Sequence, residues 1–418
     1  MLKNRLKKIL LLIFLFPLLG NAAILAGIGK SDITPPKGTP SAGYSERQGK
    51  GMEGTHDPLL AIALFLDNGE KKIIFCSVDH LGFPYDMTQE IIQKVKKTPS
   101  LKDCEVYIGS SHSHSAGGAY LNIPLLGKSL AGDYNPDMTA FYIQGTVDAC
   151  VKASQNTIPV KLGIGYGYAE DLSKYRGTYP TDIAPLSDVA IIKITRLDDT
   201  PFALFFNYPI HPTILRGGNL LFSSDFVGYT RKELQKLLGS TIQPLYFNGA
   251  QGDIIPKVED NSFTSCESLG KSLALTVQKI WDKTKTDEDL QIDTEKKSYT
   301  FTPLATPSGL LFSIDTYPTE INLIILNCLQ AFITIPGELS CLYDKELKKL
   351  GQKLGYAHVS ILGLVNDAHG YIILPESWRH KTFESYMSFG GEHYGKLVQE
   401  MSASLLKNHA SGASCKQN

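Results

Sequence analysis

Short, nearly unbroken apolar runs alternate along this chain with stretches whose apolar residues recur at helical spacing, a pattern that predicts strands and helices in turn. IALFLD and KIIFCSV read as strands separated by the turn NGEK, with a helix near Tyr85 to Lys97 and a further strand at EVYIG. A helix is expected from about Asp137 to Ser154, ahead of KLGIGYGY. DVAIIKITRL and FALFFNYPI have the texture of an antiparallel pair turning at LDDTP. A helix starting at Ser224 or Asp225, either able to cap it, precedes the strand PLYFNG and a helix from Cys266 to Lys283. INLIILNCLQAFITI reads as a double strand, a helix is expected to open at Glu338, and HVSILGLVN closes the series. Mixed hairpins and crossovers predict an α/β (α+β) protein of layered mixed β-sheets flanked by helices, with no repeat, linker or second domain in evidence.

One apolar run does not fit this scheme. Lys3, Arg5, Lys7 and Lys8 precede the unbroken segment Ile9 to Phe16, and the small-residue exit GNAA follows. A charged start, a core too short for a comfortable span and a small-residue exit predict a signal peptide over residues 1–23. Export then places the protein in the periplasm, on the cell surface or in the medium. The expected division is residues 1–23 as signal peptide, 24–408 as a single catalytic domain and 409–418 as a flexible tail. Removing the four basic residues of the leader takes the formal charge from −1 to −5, and no basic run remains to serve as a nucleic-acid footprint. The 418 residues are 43% hydrophobic and 20% charged, enough for a sizeable core. Seven scattered cysteines, with no CxxC pair, form neither a thiolate zinc site nor a legible disulfide framework.

Chemistry concentrates after strands, where scaffolds present functional groups. SSHSHSAGG sets His112 and His114 two apart; if the strand EVYIG runs on, both imidazoles face one side. A polar turn at a strand end fits the same residues. His211 follows an apolar strand and precedes a proline, as a metal ligand or as a surface turn histidine. Glu338, after Pro336 and Gly337, suits a ligand or a first-turn carboxylate. Tyr371 suits a site residue or a core aromatic, Asp225 a catalyst or an N-cap, and NGAQGD, ending at Asp253, a functional loop or a tight glycine turn.

Taken together, GIGKSDITPP, GTHDPL, SHSHSAGG, HPT, SSDFVGY, NGAQGD, PGEL, and NDAHGY followed by PE occur in the order of the neutral ceramidase motifs. From Gly27 to Tyr394 the chain resembles the catalytic domain of the neutral/alkaline (non-lysosomal) ceramidase family, as a divergent, bacterial-type member. The resemblance implies an amidase that cleaves an N-acyl amide, in ceramide or another N-acylated lipid or amine, with zinc-activated water. It implies His112, His211, Glu338 and Tyr371 as zinc ligands, with His114 and Arg176 acting on the substrate carbonyl. Asp225 and Asp253 would support loops or orient histidines, and His56 and Asp57 match family positions without an assigned step. A lipid substrate further implies peripheral membrane contact.

Three departures bear on function. Ile255 stands where the family carries a serine implicated in catalysis, which removes a serine nucleophile there. Phe383 stands where the family has a second tyrosine, and the sequence ends without a counterpart of the family's immunoglobulin-like domain. An esterase or lactonase using the same metal chemistry, and a zinc-containing binding protein without turnover, remain the competing readings. The residues after HxH do not suit a metallo-β-lactamase, and several strands precede His112, which does not suit an amidohydrolase barrel.

Overall fold

The computed structural model describes residues 23–123, 126–309 and 315–412. Apart from Ala23, the expected signal peptide lies outside these residues, as does the expected tail beyond Gly412.

Eight strands form the larger sheet, in the order Gln243–Asn248, Pro201–Tyr208, Asp188–Arg196, Thr157–Tyr168, Leu25–Asp32, Leu60–Asp67, Lys72–Val78, Glu105–Ser110. Its two outermost pairs are parallel and its interior pairs antiparallel. A smaller sheet orders Ile292–Phe301, Tyr317–Leu326, Gln330–Ile335 and His358–Gly363, the last pair again parallel.

The strands read as continuous apolar runs because both of their faces are buried. Along Lys72–Val78, Ile73 and Phe75 turn toward the smaller sheet, while Ile74, Cys76 and Val78 pack under the helices Tyr85–Lys96 and Pro136–Gln155. Between the sheets Phe75 and Phe205 meet Phe332, and Phe247 packs on Phe75 and Phe205, with ring centroids 5.0–6.4 Å apart. Helices Phe226–Leu238 and Phe263–Lys283 cover another part of the larger sheet's outer face; Cys341–Leu354 and Tyr394–Gly412 cover the smaller sheet. The result is four layers, helices outside and two sheets within.

Curvature brings the ends of the larger sheet together. Ser77, near one edge, donates to the Tyr246 carbonyl on the opposite edge strand at 2.6 Å. Gly109 lies against the Phe247 ring so closely that a Cβ would stand 2.4 Å from it, hence the glycine. The segments after Ser110, Tyr208, Asn248, Ile335 and Gly363 therefore leave the C-terminal ends of strands from both sheets toward one place.

Four expectations change. The strand before the histidine pair stops at Ser110, and His112 lies beyond it with φ +72°. Glu338 does not open a helix; it pairs with Tyr371 in a short parallel bridge, and the helix begins at Cys341, capped by Ser340. The helix expected from Cys266 starts at Phe263, because Ser262 caps it. The last helix runs to Gly412 and buries His409, which bonds Tyr356, where a frayed tail was expected. Among the described residues no helix is long and apolar enough to cross a membrane.

Candidate metal centre

Beyond Ser110 the chain turns sharply at His112, whose amide donates to the His80 carbonyl. That turn, rather than a continued strand, brings the pair into one place: His114 Nε2 lies 3.2 Å from His112 Nε2. His211, after Pro201–Tyr208, joins them, and ligand-type atoms of His112, His114 and His211 all lie within 4.8 Å of one another. These three imidazoles can hold a metal ion.

Hydrogen bonds fix two of the rings. His112 Nδ1 lies 2.6 Å from the Leu81 carbonyl and His211 Nδ1 3.1 Å from that of Ile254. A carbonyl only accepts, so each Nδ1 carries the proton. Burial, aided by Arg176, lowers the His211 pKa to about 4, so its Nε2 presents a bare lone pair at neutral pH. Both Nε2 atoms face one oxygen, Glu338 Oε2, at 3.2 Å from His112 and 2.9 Å from His211. Burial alone would raise the Glu338 carboxyl, but the His112 imidazole beside it outweighs burial and holds it well below the ordinary value, hence ionised.

At His211 and Glu338, then, an acceptor faces an acceptor, an arrangement that a buried site relieves with a cation. Two metal–ligand arms of about 2.1 Å at a tetrahedral angle set donor atoms about 3.4 Å apart, close to these separations. Rings anchored through Nδ1 to a carbonyl are the usual support of a metal-ligating histidine. By this donor set and its anchoring, the residues present fit a divalent metal.

His114 differs. Its Nδ1 is buried without a hydrogen-bond partner among the described residues, and Gly43 packs so close that a Cβ there would lie 2.5 Å from it. Burial and the neighbouring imidazoles push its pKa well below the usual value.

Tyr371 is brought alongside by its backbone pairing with Glu338. Its hydroxyl accepts from Arg176 Nη2 at 2.8 Å; burial raises the phenol pKa and Arg176 offsets part of that. The same Nη2 reaches the Gly252 carbonyl at 2.8 Å, while Arg176 Nε donates to Glu384 at 3.0 Å. Phe383 lies over the guanidinium at 5.1 Å and is 62% exposed, so its missing hydroxyl falls at the rim. Ile255 pairs with Lys174 and offers no polar side-chain atom.

The supporting aspartates hold loops and touch no imidazole. Asp225 caps the helix Phe226–Leu238 and accepts from Leu215, with burial raising its pKa to about 6. Asp253 accepts from Ser340 Oγ and the Cys341 amide, bracing the segment just after Glu338. His56 and Asp57 line a separate cleft with Lys30, Arg231 and Glu267. His56 stacks on Phe263 and bonds Tyr229; Asp57 accepts from Ser223 and Ser224.

Two residues went unread in the sequence. Arg47, buried and without a carboxylate partner among the described residues, donates to the carbonyls of His114, Arg216, Gly217 and Asn219 and so ties the histidine loop to its neighbours. No motif marks it. Glu384 stands next to Phe383, a position the resemblance had singled out, and that adjacency was the available signal.

The fold and centre define a layered α/β protein with a buried imidazole–carboxylate site suited to a metal. The chain belongs to the family described as neutral/alkaline non-lysosomal ceramidase, N-terminal, whose model matches residues 24–266, a span that contains His112 and His211. It is similar to the neutral ceramidase of Drosophila pseudoobscura pseudoobscura, 24% identical over 264 residues, covering 57% of this chain and 37% of that protein. Neutral ceramidase B of Dictyostelium discoideum is 23% identical over 226 residues, covering 50% and 31%. The chain thus spans about a third of the length of these relatives. The crystal structure of neutral ceramidase from Pseudomonas aeruginosa shares the fold, with a TM-score of 0.81 at 16% identity over 93% of this chain and 75% of that one. A structure titled as ceramidase complexed with C2 superposes with a TM-score of 0.80 at 15% identity, covering 93% and 76%.

Proposed function

We propose that this protein is an exported, zinc-dependent hydrolase of N-acyl amides, with ceramide or a related acylated lipid as substrate. The observation that carries the reading is the pair of carbonyl-anchored imidazoles, His112 and His211, facing the ionised Glu338. With Tyr371 they supply two nitrogen and two oxygen donors, a set suited to zinc. When bound, zinc supplies a Lewis acid for the acyl carbonyl and a means of deprotonating water near neutral pH.

The chain's own residues do the rest. The Leu81 and Ile254 carbonyls anchor Nδ1 of His112 and His211 and aim both Nε2 atoms inward. His114 is held neutral, and among the described residues Nε2 is the one of its nitrogens that reaches another group, so it is from Nε2 that the ring gives a hydrogen bond to the acyl oxygen as charge develops there. Arg176 holds the Tyr371 oxygen from outside and presents positive charge to an acyl oxygen. An apolar cavity of about 140 Å³, walled by Leu81, Tyr120, Leu121, Leu364 and Phe389, opens on His112 and Glu338 and suits an acyl chain. Neither Ile255 nor Phe383 removes a group this scheme needs, because the nucleophile is water.

Turnover of a fluorogenic N-acyl amide and its matching ester tests the reading. Amide cleavage that falls to background in chelator and returns with zinc is expected. No cleavage of the amide by metal-replete protein would overturn it, and cleavage of the ester alone would assign the site to an esterase.

A further inference from the structure

Arg176 is an awkward neighbour for a cation. Its guanidinium lies 2.8 Å from the Tyr371 hydroxyl, and a fixed positive charge there opposes any ion held by Glu338 and the imidazoles. Glu384 answers that charge. Its Oε1 accepts from Arg176 Nε at 3.0 Å, with the carboxylate side chain 4% exposed and the arginine 17%. Among the described residues, this is the one carboxylate in ion-pair contact with Arg176. The bond also sets the direction of the fork: with Nε committed to Glu384, Nη2 bridges the Gly252 carbonyl and Tyr371. Rings of Tyr371 and Phe383, 5.4 and 5.1 Å from the guanidinium carbon, restrict it further. Burial raises the Glu384 carboxyl and Arg176 offsets part of the rise.

We propose that Glu384 is a positioning residue for the metal centre: by neutralising and orienting Arg176, it allows a guanidinium to hold Tyr371 without repelling the ion. The inference rests on the metal-dependent reading above and adds to it a residue that touches neither metal nor substrate. Because Glu384 belongs to the short turn Phe383–Met387, whose Phe383 and Tyr386 are exposed, the same ion pair fastens the rim of the site to its centre.

Zinc affinity, measured by competition with a chromophoric chelator, gives a readout independent of turnover. E384Q keeps size and one acceptor but removes the charge; binding 10- to 100-fold weaker than wild type is expected, the usual effect of losing such a supporting group. In the background of R176M, E384Q should change affinity less than about twofold, because the charge it answers has gone. Unchanged affinity in E384Q, or an equal loss in both backgrounds, would overturn the proposal. Should E384Q fail to fold, as judged by thermal unfolding in chelator, E384D carries the test. It retains the charge and must bind zinc within about fivefold of wild type, and a larger loss overturns the proposal. Wild type that takes up no zinc would instead overturn the metal-dependent reading and this proposal with it.

Discussion

Two regions of the molecule gather histidines and carboxylates under family-like motifs, and they are built in opposite ways. The cleft at His56 and Asp57 is the larger, about 680 Å³, and the richer in charge, with Lys30, Arg231, Lys232 and Glu267 around it. Yet its acceptors have donors: Asp57 takes hydrogen bonds from Ser223 and Ser224, and Arg231 pairs with the buried Asp79 at 2.5 Å. The centre at His112, His211 and Glu338 adjoins a cavity of only about 140 Å³, and there a bare imidazole nitrogen faces a carboxylate at 2.9 Å. Unmatched polarity therefore marks the proposed working site better than volume or charge does.

The largest effect should come from the centre. His112→Ala removes one of the anchored nitrogens; zinc should be lost, with amide turnover reduced at least about 10³-fold. His114→Ala should keep zinc and lose roughly 10²-fold in kcat, because in the proposed function its ring serves the reacting carbonyl rather than the ion, which paired metal analysis and kinetics would check.

In chelator, the pH dependence of stability sharpens the comparison. Folded His211 stays neutral down to about pH 4, whereas the unfolded chain protonates it near 6.5. Within that window the unfolded state binds the extra proton, so stability is lost as pH falls from about 6.5 to about 4. The loss amounts to about 3 kcal/mol, and denaturant titrations should find that component missing from His211→Gln.

Smaller effects belong to the cleft. Asp57→Ala leaves the donors of Ser223 and Ser224 unpaired and should cost about 1–3 kcal/mol of unfolding free energy with zinc content unchanged. His56→Ala, at an exposed stacking position, should cost less than about 1 kcal/mol and leave kcat within about twofold. Loss of metal from either variant would erase the distinction between the two regions.

Much of the fold was legible because strands buried on both faces leave unbroken apolar runs: KIIFCSV, FALFFNYPI and INLIILNCLQAFITI all lie where their texture placed them. What local pattern could not show was convergence. Nothing in EVYIG says that the strand ends at Ser110, or that a positive φ at His112, rather than strand alternation, aims both rings inward. Likewise PGEL followed by a helix suggested a first-turn carboxylate; the parallel pairing of Glu338 with Tyr371 spans 33 residues and leaves no local trace. The candidate residues entered through ordered motifs, and the structure gathers His112, His114, His211, Glu338, Tyr371 and Arg176. It leaves His56 and Asp57 in their own cleft. Arg47 and Glu384 escaped because a lone charged residue in a loop looks the same whether it faces water or staples three segments together.

Whether the imidazole–carboxylate centre holds a metal is decided by metal stoichiometry, measured by elemental mass spectrometry on protein prepared with excess zinc and then dialysed. Wild type and His114→Ala should each hold one zinc per chain, and His112→Ala and Glu338→Ala none. Wild type without zinc, or full stoichiometry retained in Glu338→Ala, would contradict this.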